Sequence, residues 1–164
     1  MRDKSRSFPD VSEPERYTSA RIWHCGYATL WPLSRLINCR SLKVATFPDA
    51  SFEMLVGLVN LEVLEIMHMP KVRDISALAA LKSLKILELA TLPSWDSSGK
   101  VTEVSSLAPL VSLENLTELR LFGVRPPTKS VDEIIAIPAL RVARISKYPK
   151  MEIERLEAAL AQRK

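Results

Sequence analysis

The feature that most constrains what this chain can fold into is a phrase that repeats. Between Leu78 and Pro93 the sequence reads LAALKSLKILELATLP, with leucines at 78, 81, 84, 87 and 89. Spacing of three suits a helical or 3₁₀ turn and spacing of two suits a strand, so one short unit turns, extends and turns again. A unit this small cannot bury its apolar side alone. It has to stack on copies of itself, which makes a solenoid the expected architecture.

The copies are present in register. Leu36, Cys39, Leu42 and Val44 lead to Phe47-Pro48, and Leu58, Leu61, Leu64 and Ile66 lead to Met69-Pro70. Leu81, Leu84, Leu87 and Leu89 lead to Leu92-Pro93, and Leu113, Leu116, Leu119 and Leu121 to Val124, with the proline one step late at Pro126. Ile137, Leu140, Ala143 and Ile145 lead to Tyr148-Pro149. The first repeat is less regular, as a unit with only one neighbour should be. There Ala20 and Ile22 are expected to point inward, followed by Leu30, Leu33 and Leu36 on the next turn. The second inward strand positions, Ile22, Val44, Ile66, Leu89, Leu121 and Ile145, fall 22, 22, 23, 32 and 24 residues apart. The long interval measures an insertion.

On these residues the chain resembles the leucine-rich repeat proteins, and among them small bacterial members, across roughly residues 17–149. The L-x-x-L-x-x-L-x-L phrase, kept in spacing and chemistry from repeat to repeat, carries the resemblance. It implies an α/β leucine-rich repeat solenoid of about six turns, with a curved parallel sheet on the concave face and short helices and turns on the convex face. It also implies protein recognition, with no catalytic residues to assign. One slot departs from the family. Where many members place an asparagine that ladders adjacent turns, this sequence has Cys25, Phe47, Met69, Leu92, Val124 and Tyr148. The turn is expected to close by apolar packing instead, and the proline that often follows fixes φ and stops the strand.

The two ends read differently from the middle. Residues 1–16, MRDKSRSFPDVSEPER, are polar with two prolines and are expected to be a mobile leader or a cover for the first repeat. At the other end, residues 150–164 place Ile153, Leu156, Ala159 and Leu160 on one helical face, with Glu152, Glu154, Arg155, Glu157 and Arg163 turned mostly outward. This is the pattern of a capping helix. Ser130-Val131-Asp132-Glu133 has capping-box form and predicts a further helix start before Ile134 and Ile137.

Composition narrows the function classes. With 47% apolar and only 6% aromatic residues the core has to be aliphatic, and four glycines are too few for a glycine-rich phosphate loop. The net charge of +4, from 23 basic and 19 acidic residues that are interspersed, forms no polybasic arm. Two cysteines, Cys25 and Cys39, make neither a disulfide framework nor a metal motif, and both fall at inward positions. With no apolar run at the start that reads as a signal or a membrane span, the expectation is a soluble cytoplasmic protein.

Strand side chains alternate, so the residue between two inward positions points to the concave face. Those residues are Arg21, Lys43, Glu65, Glu88, Arg120 and Arg144, a stripe that runs basic, acidic, basic. Two positions on lie Trp23, Ala45, Met67, Ala90, Phe122 and Ser146. Charges alone solvate an exposed sheet and pair across it. Large apolar and aromatic groups beside arginine are instead what binding hot spots are made of. Arg21, Trp23, Lys43, Glu65, Met67, Glu88, Arg120, Phe122 and Arg144 are therefore the expected partner-binding residues of the concave face. The insertion carries Trp95, Asp96 and Lys100, and Arg125 opens a stiff proline loop in the next repeat. These four are expected on one rim, where insertions in repeat arrays often bind.

Other chemistry finds little support. Neither His24 nor His68 sits in a metal-binding spacing, and no cofactor or metal is expected. Glu65 and Glu88, one strand apart at about 5 Å, have the spacing of acids that share a proton or a cation, but on an open sheet rather than in a pocket. They also interrupt the track of cations that a nucleic acid would need. The expected function is a non-enzymatic module that binds one protein partner, as a monomer rather than a homo-oligomer. Self-association into a structural assembly is the alternative.

Overall fold

The repeat phrase folds as its spacing predicts. In a computed structural model that describes residues 6–23 and 25–163, apart from the Asp96 side chain, each unit contributes one strand and one short helical turn. The principal strands are β1 (Ser19–Ile22), β2 (Ser41–Val44), β3 (Val63–Ile66), β4 (Ile86–Ala90), β6 (Glu118–Phe122) and β8 (Val142–Ile145). They pair in parallel, in chain order, as one six-stranded sheet. Its register aligns Leu42, Leu64, Leu87 and Leu119 on one row and Lys43, Glu65, Glu88 and Arg120 on the next.

Each strand returns through a short helical turn on the opposite side, built where leucine spacing changes from two to three. The 3₁₀ turns are Trp31–Arg35, Glu53–Leu55, Ser76–Ala80 and Ala108–Ser112, and the last return uses the short helix α2 (Asp132–Ile135). Between sheet and turns lies one continuous aliphatic core. Leu42, Leu64, Leu87 and Leu119 are fully buried, as are Leu33, Leu55, Leu78 and Leu110 beneath the turns. The departing slot packs as expected at Phe47, Met69 and Val124, which are fully buried, and at Tyr148, which is nearly so.

The insertion has its own structure. After β4 the chain forms a one-turn helix, α1 (Pro93–Ser97), and then a short strand, β5 (Thr102–Glu103). β5 pairs in parallel with β7 (Val124–Arg125), which follows directly on β6 and so makes a second, two-stranded sheet. The step from β6 to β7 needs Gly123. Its φ is +68°, and a Cβ there would lie 2.5 Å from the Thr91 hydroxyl.

The ends are closed unequally. At the C-terminal end α3 (Lys150–Ala161) lies over β8 and α2, burying Leu156 and Leu160. At the N-terminal end residues 6–16 fold back, with Phe8 and Val11 packed on the core and the Arg6 carbonyl accepting from the Ala28 amide. This part of the expected leader is a cover, held by a 3₁₀ turn at Pro14–Arg16; residues 1–5 lie outside the described residues.

Two local expectations do not hold, and a third holds in part. The capping box at Ser130 does not form: the first turn of α2 is preceded by Val131, and Glu133 reaches to the preceding repeat instead. Glu152, expected to face outward, turns in and accepts from the Val131 amide at 2.9 Å. Cys25 packs against the core as expected but is only half-buried, donating its thiol to the Trp23 carbonyl at 3.3 Å, whereas Cys39 is buried in its leucine slot. For the two carboxylates the reason is that each finds a partner one repeat away, which no local motif encodes.

Candidate functional site: the concave sheet face

The concave stripe is assembled by the parallel register. Arg21, Lys43, Glu65, Glu88, Arg120 and Arg144 stand side by side across the sheet. Lys43 Nζ meets Glu65 Oε2 at 2.7 Å. Arg120 bridges Glu88 at 3.0 Å and Glu118 at 2.7 Å, and hydrogen bonds to these two carboxylates, Glu88 first, raise its affinity for its proton. Glu65 and Glu88 therefore turn to different cations rather than to each other, and neither is arranged for general acid chemistry.

The two ends of the stripe are not neutralised in this way. Arg21 stacks on the Trp23 ring at 4.4 Å from its centroid, and no carboxylate among the described residues pairs with it. Arg144, on the last strand, is exposed and has no side-chain partner there. Between β1 and β4 the face dips into a concavity of about 450 Å³. Small Ser19, Ala20 and Ser41 line it together with Arg21, Trp23, Lys43, Glu65, Met67 and Glu88. Phe122 lies beyond it, half-buried opposite Ala90.

The rim residues are divided. Trp95, on α1, packs edge-on against His68 with ring centroids 4.9 Å apart, and Lys100 Nζ lies 5.8 Å from the Trp95 centroid. Asp96 is on the same helix, and its side chain lies outside the described residues. Arg125, on β7, is half-buried and donates to the Lys147 carbonyl, while its Nε is buried without a partner. The structure thus brings Trp95 and Lys100 together over His68 and engages Arg125 with the final repeat.

Solved structures share this fold. Internalin InlF of Listeria monocytogenes strain 4b F2365 matches with a TM-score of 0.64 at 20% identity, over 87% of this chain and 38% of its own length. Internalin C2 of the same strain matches with a TM-score of 0.56 at 22% identity, over 77% of this chain and 50% of its own. This fold is a leucine-rich repeat solenoid. The chain spans less than two thirds of either internalin structure. No protein-family model matches the sequence, and no curated protein does.

The leucine-rich repeats hold polar ties that the sequence reading missed. Asn38, Asn60 and Asn115 occupy one slot, just before the second leucine position, and each donates its amide one repeat back: to Glu15 O at 2.8 Å, Ile37 O at 3.3 Å and Lys82 O at 2.8 Å. The asparagine ladder absent from its usual slot is present at a different corner. Carboxylates make a second set of ties. Asp49 accepts from the Leu30 amide at 2.8 Å, Glu133 from the Leu107 amide at 2.6 Å, and Glu152 from the Val131 amide, each at the N-cap of the preceding turn. Such caps satisfy N–H groups that the turns leave open. The recurring L-x-N-L phrase was the available signal for the first set; the second had none.

His68 is the buried titratable group of the rim. It is 6% exposed, its Nδ1 has no partner, and burial lowers its pKa below the ordinary histidine value. Burial thus weakens proton uptake by His68 in the folded state, whereas the unfolded chain takes up a proton near pH ~6.5. Stability from this group is present above that pH and is lost as the pH falls below it. Urea midpoints are expected to drop between pH 7.5 and 5.5, and to drop less in His68→Asn. Equal drops in both would remove His68 as the cause. Among the described residues, no group of three or more His, Cys, Asp or Glu is placed to hold a metal, and no helix is long and apolar enough to cross a membrane.

Proposed function

We propose that this protein is an interaction module that binds a protein partner on the concave face, with the rim around Trp95 contributing. The observation that carries this reading is the concavity over β1–β4, where Arg21, Trp23, Lys43, Glu65, Met67 and Glu88 converge. It combines a stacked arginine and tryptophan, a methionine and paired charges with small residues. Recognition surfaces concentrate their energy in groups of this kind. The leucine-rich repeat fold, shared with internalins, supports the same reading. No enzymatic role is proposed. Free thiols at Cys25 and Cys39 fit a reducing, cytoplasmic setting.

The test is affinity capture from native extract with mass spectrometry, comparing the wild type with a folded triple variant, Trp23→Ala, Glu65→Lys, Arg120→Glu. A protein retained by the wild type and lost by the variant supports the concave site. Equal capture by both moves the site to the rim. Self-association is the second reading. Ile37 and Val59, 50% and 57% exposed in the same slot of successive repeats, present apolar surface at the convex corner. Mass that rises with protein concentration, and stops rising in Ile37→Asp, would favour it.

A further inference from the structure

The two ends of the sheet differ in a way that selects a ligand. β8 lies under α3, whereas nothing pairs with the outer edge of β1 among the described residues. In a parallel ladder alternate residues direct both backbone groups to one neighbour. The Thr18 and Ile22 carbonyls accept from Ser41 and Ala45 of the second repeat, so Ala20 and Ile22 face β2. The N–H and C=O of Ser19 and Arg21 face outward. An edge of this kind is a template for another strand.

The space beside that edge is already shaped. A hollow of about 440 Å³ lies between β1 and the folded-back residues 8–17. Phe8, Val11, Tyr27 and Leu36 give it an apolar lining. It shares Ser19, Ala20 and Arg21 with the concave concavity, so the two meet across β1. A volume of this order is within the range of ligand sites.

We infer that β1 accepts an extended segment of a protein partner as an added strand, with an acidic residue of that segment on Arg21 and apolar residues on either side of it in the hollow. Strand alternation dictates the pattern. A residue placed opposite Arg21 shares the concave face, beside a guanidinium that no carboxylate among the described residues pairs with. The residues before and after it point to the other face, which here is the hollow among Phe8, Val11, Tyr27 and Leu36. Backbone pairing supplies affinity and the alternate side chains supply selectivity, as in other strand-addition sites. A second copy of this chain is the poorer occupant, because pairing β1 with β1 brings two Arg21 cations onto one face. The inference rests on the proposed role in protein binding and adds the partner's chemistry.

The test uses the full chain and a fluorescein-labelled nonapeptide, Thr-Thr-Thr-Val-Glu-Val-Thr-Thr-Thr, acetylated and amidated, read by fluorescence anisotropy. Two further peptides replace the central Glu by Lys or carry N-methyl groups on the central amides. The Glu peptide is expected to bind at least about tenfold more tightly than either, a difference of about 1.4 kcal/mol. Arg21→Glu, at an exposed position, is expected to reverse the preference between Glu and Lys. Equal affinity for the N-methylated peptide overturns strand addition, and equal affinity for the Lys peptide overturns the role of Arg21. Absence of binding by every peptide overturns the inference, while loss of an extract protein by the concave variant would still stand. A dimer by sedimentation that the Glu peptide cannot dissociate assigns the edge to a second copy and likewise overturns it.

Discussion

Leu87→Ala is expected to destabilise the protein by about 2 to 5 kcal/mol, because it empties a position that is fully buried between β3 and β6 and leaves a cavity there. The core cannot easily collapse onto the gap. Leu64 and Leu119 flank it in register, and each is held by its own strand. Urea unfolding measures the loss directly. The neighbouring change Glu88→Ala is the control, since that side chain points to the opposite face and keeps 20% of its surface in water. It removes one carboxylate from Arg120 and leaves Glu118 in place, so its cost is expected to stay within about 1 kcal/mol. Equal losses in the two variants would mean that the strand register is wrong.

Deleting residues 150–164 is expected to have the second large effect. The segment removes Leu156 and Leu160 from the core, takes the Glu152 cap from the Val131 amide, and takes Arg163 from the carbonyls of Ile135, Ile137 and Leu140. It would also uncover β8, where Val142 is already 42% exposed. A strand edge beside fresh apolar surface is a site of aggregation. Light scattering during thermal unfolding is expected to rise at a lower temperature than in the full chain. A truncated chain that stays soluble with an unchanged midpoint would show that α3 is not a cap.

How much of this was legible in the sequence varied with the range of the interaction responsible. The strand register was legible because inward positions recur with period two and carry leucine or a close substitute, so Lys43, Glu65, Glu88 and Arg120 had one face left to occupy. The concave stripe followed from that alone. Its pairing did not: alternation says which face Arg120 is on, but not that it spans Glu88 and Glu118. Glu133 shows the limit more sharply. Its position after Ser130 matched a local capping box, yet it pairs with Ser106 and the Leu107 amide, 26 residues upstream for the latter. Trp95 was legible as part of the insertion, whereas its contact with His68 depends on how that insertion folds back. That no described residue pairs with the outer edge of β1 could not be read at all, because it depends on the path that residues 6–16 take.

The corner ties also bear on where the solenoid is sensitive to its medium. Asn38, Asn60 and Asn115 lace three joints with neutral amides, but the same slot holds Ser83 in the fourth repeat and Ala139 in the sixth. At the last joint Arg163 takes over from α3. At the fourth the side-chain tie beside this corner is ionic, Lys85 to Glu62 at 2.8 Å, with Glu62 also held by Arg40 at 3.4 Å. Dissolved salt screens an exposed pair of this kind and leaves an amide bond almost untouched. Ionic strength therefore acts unevenly on the corner ties, weakening the one at the fourth repeat more than its amide counterparts, while the ladder from β3 to β4 keeps that joint closed.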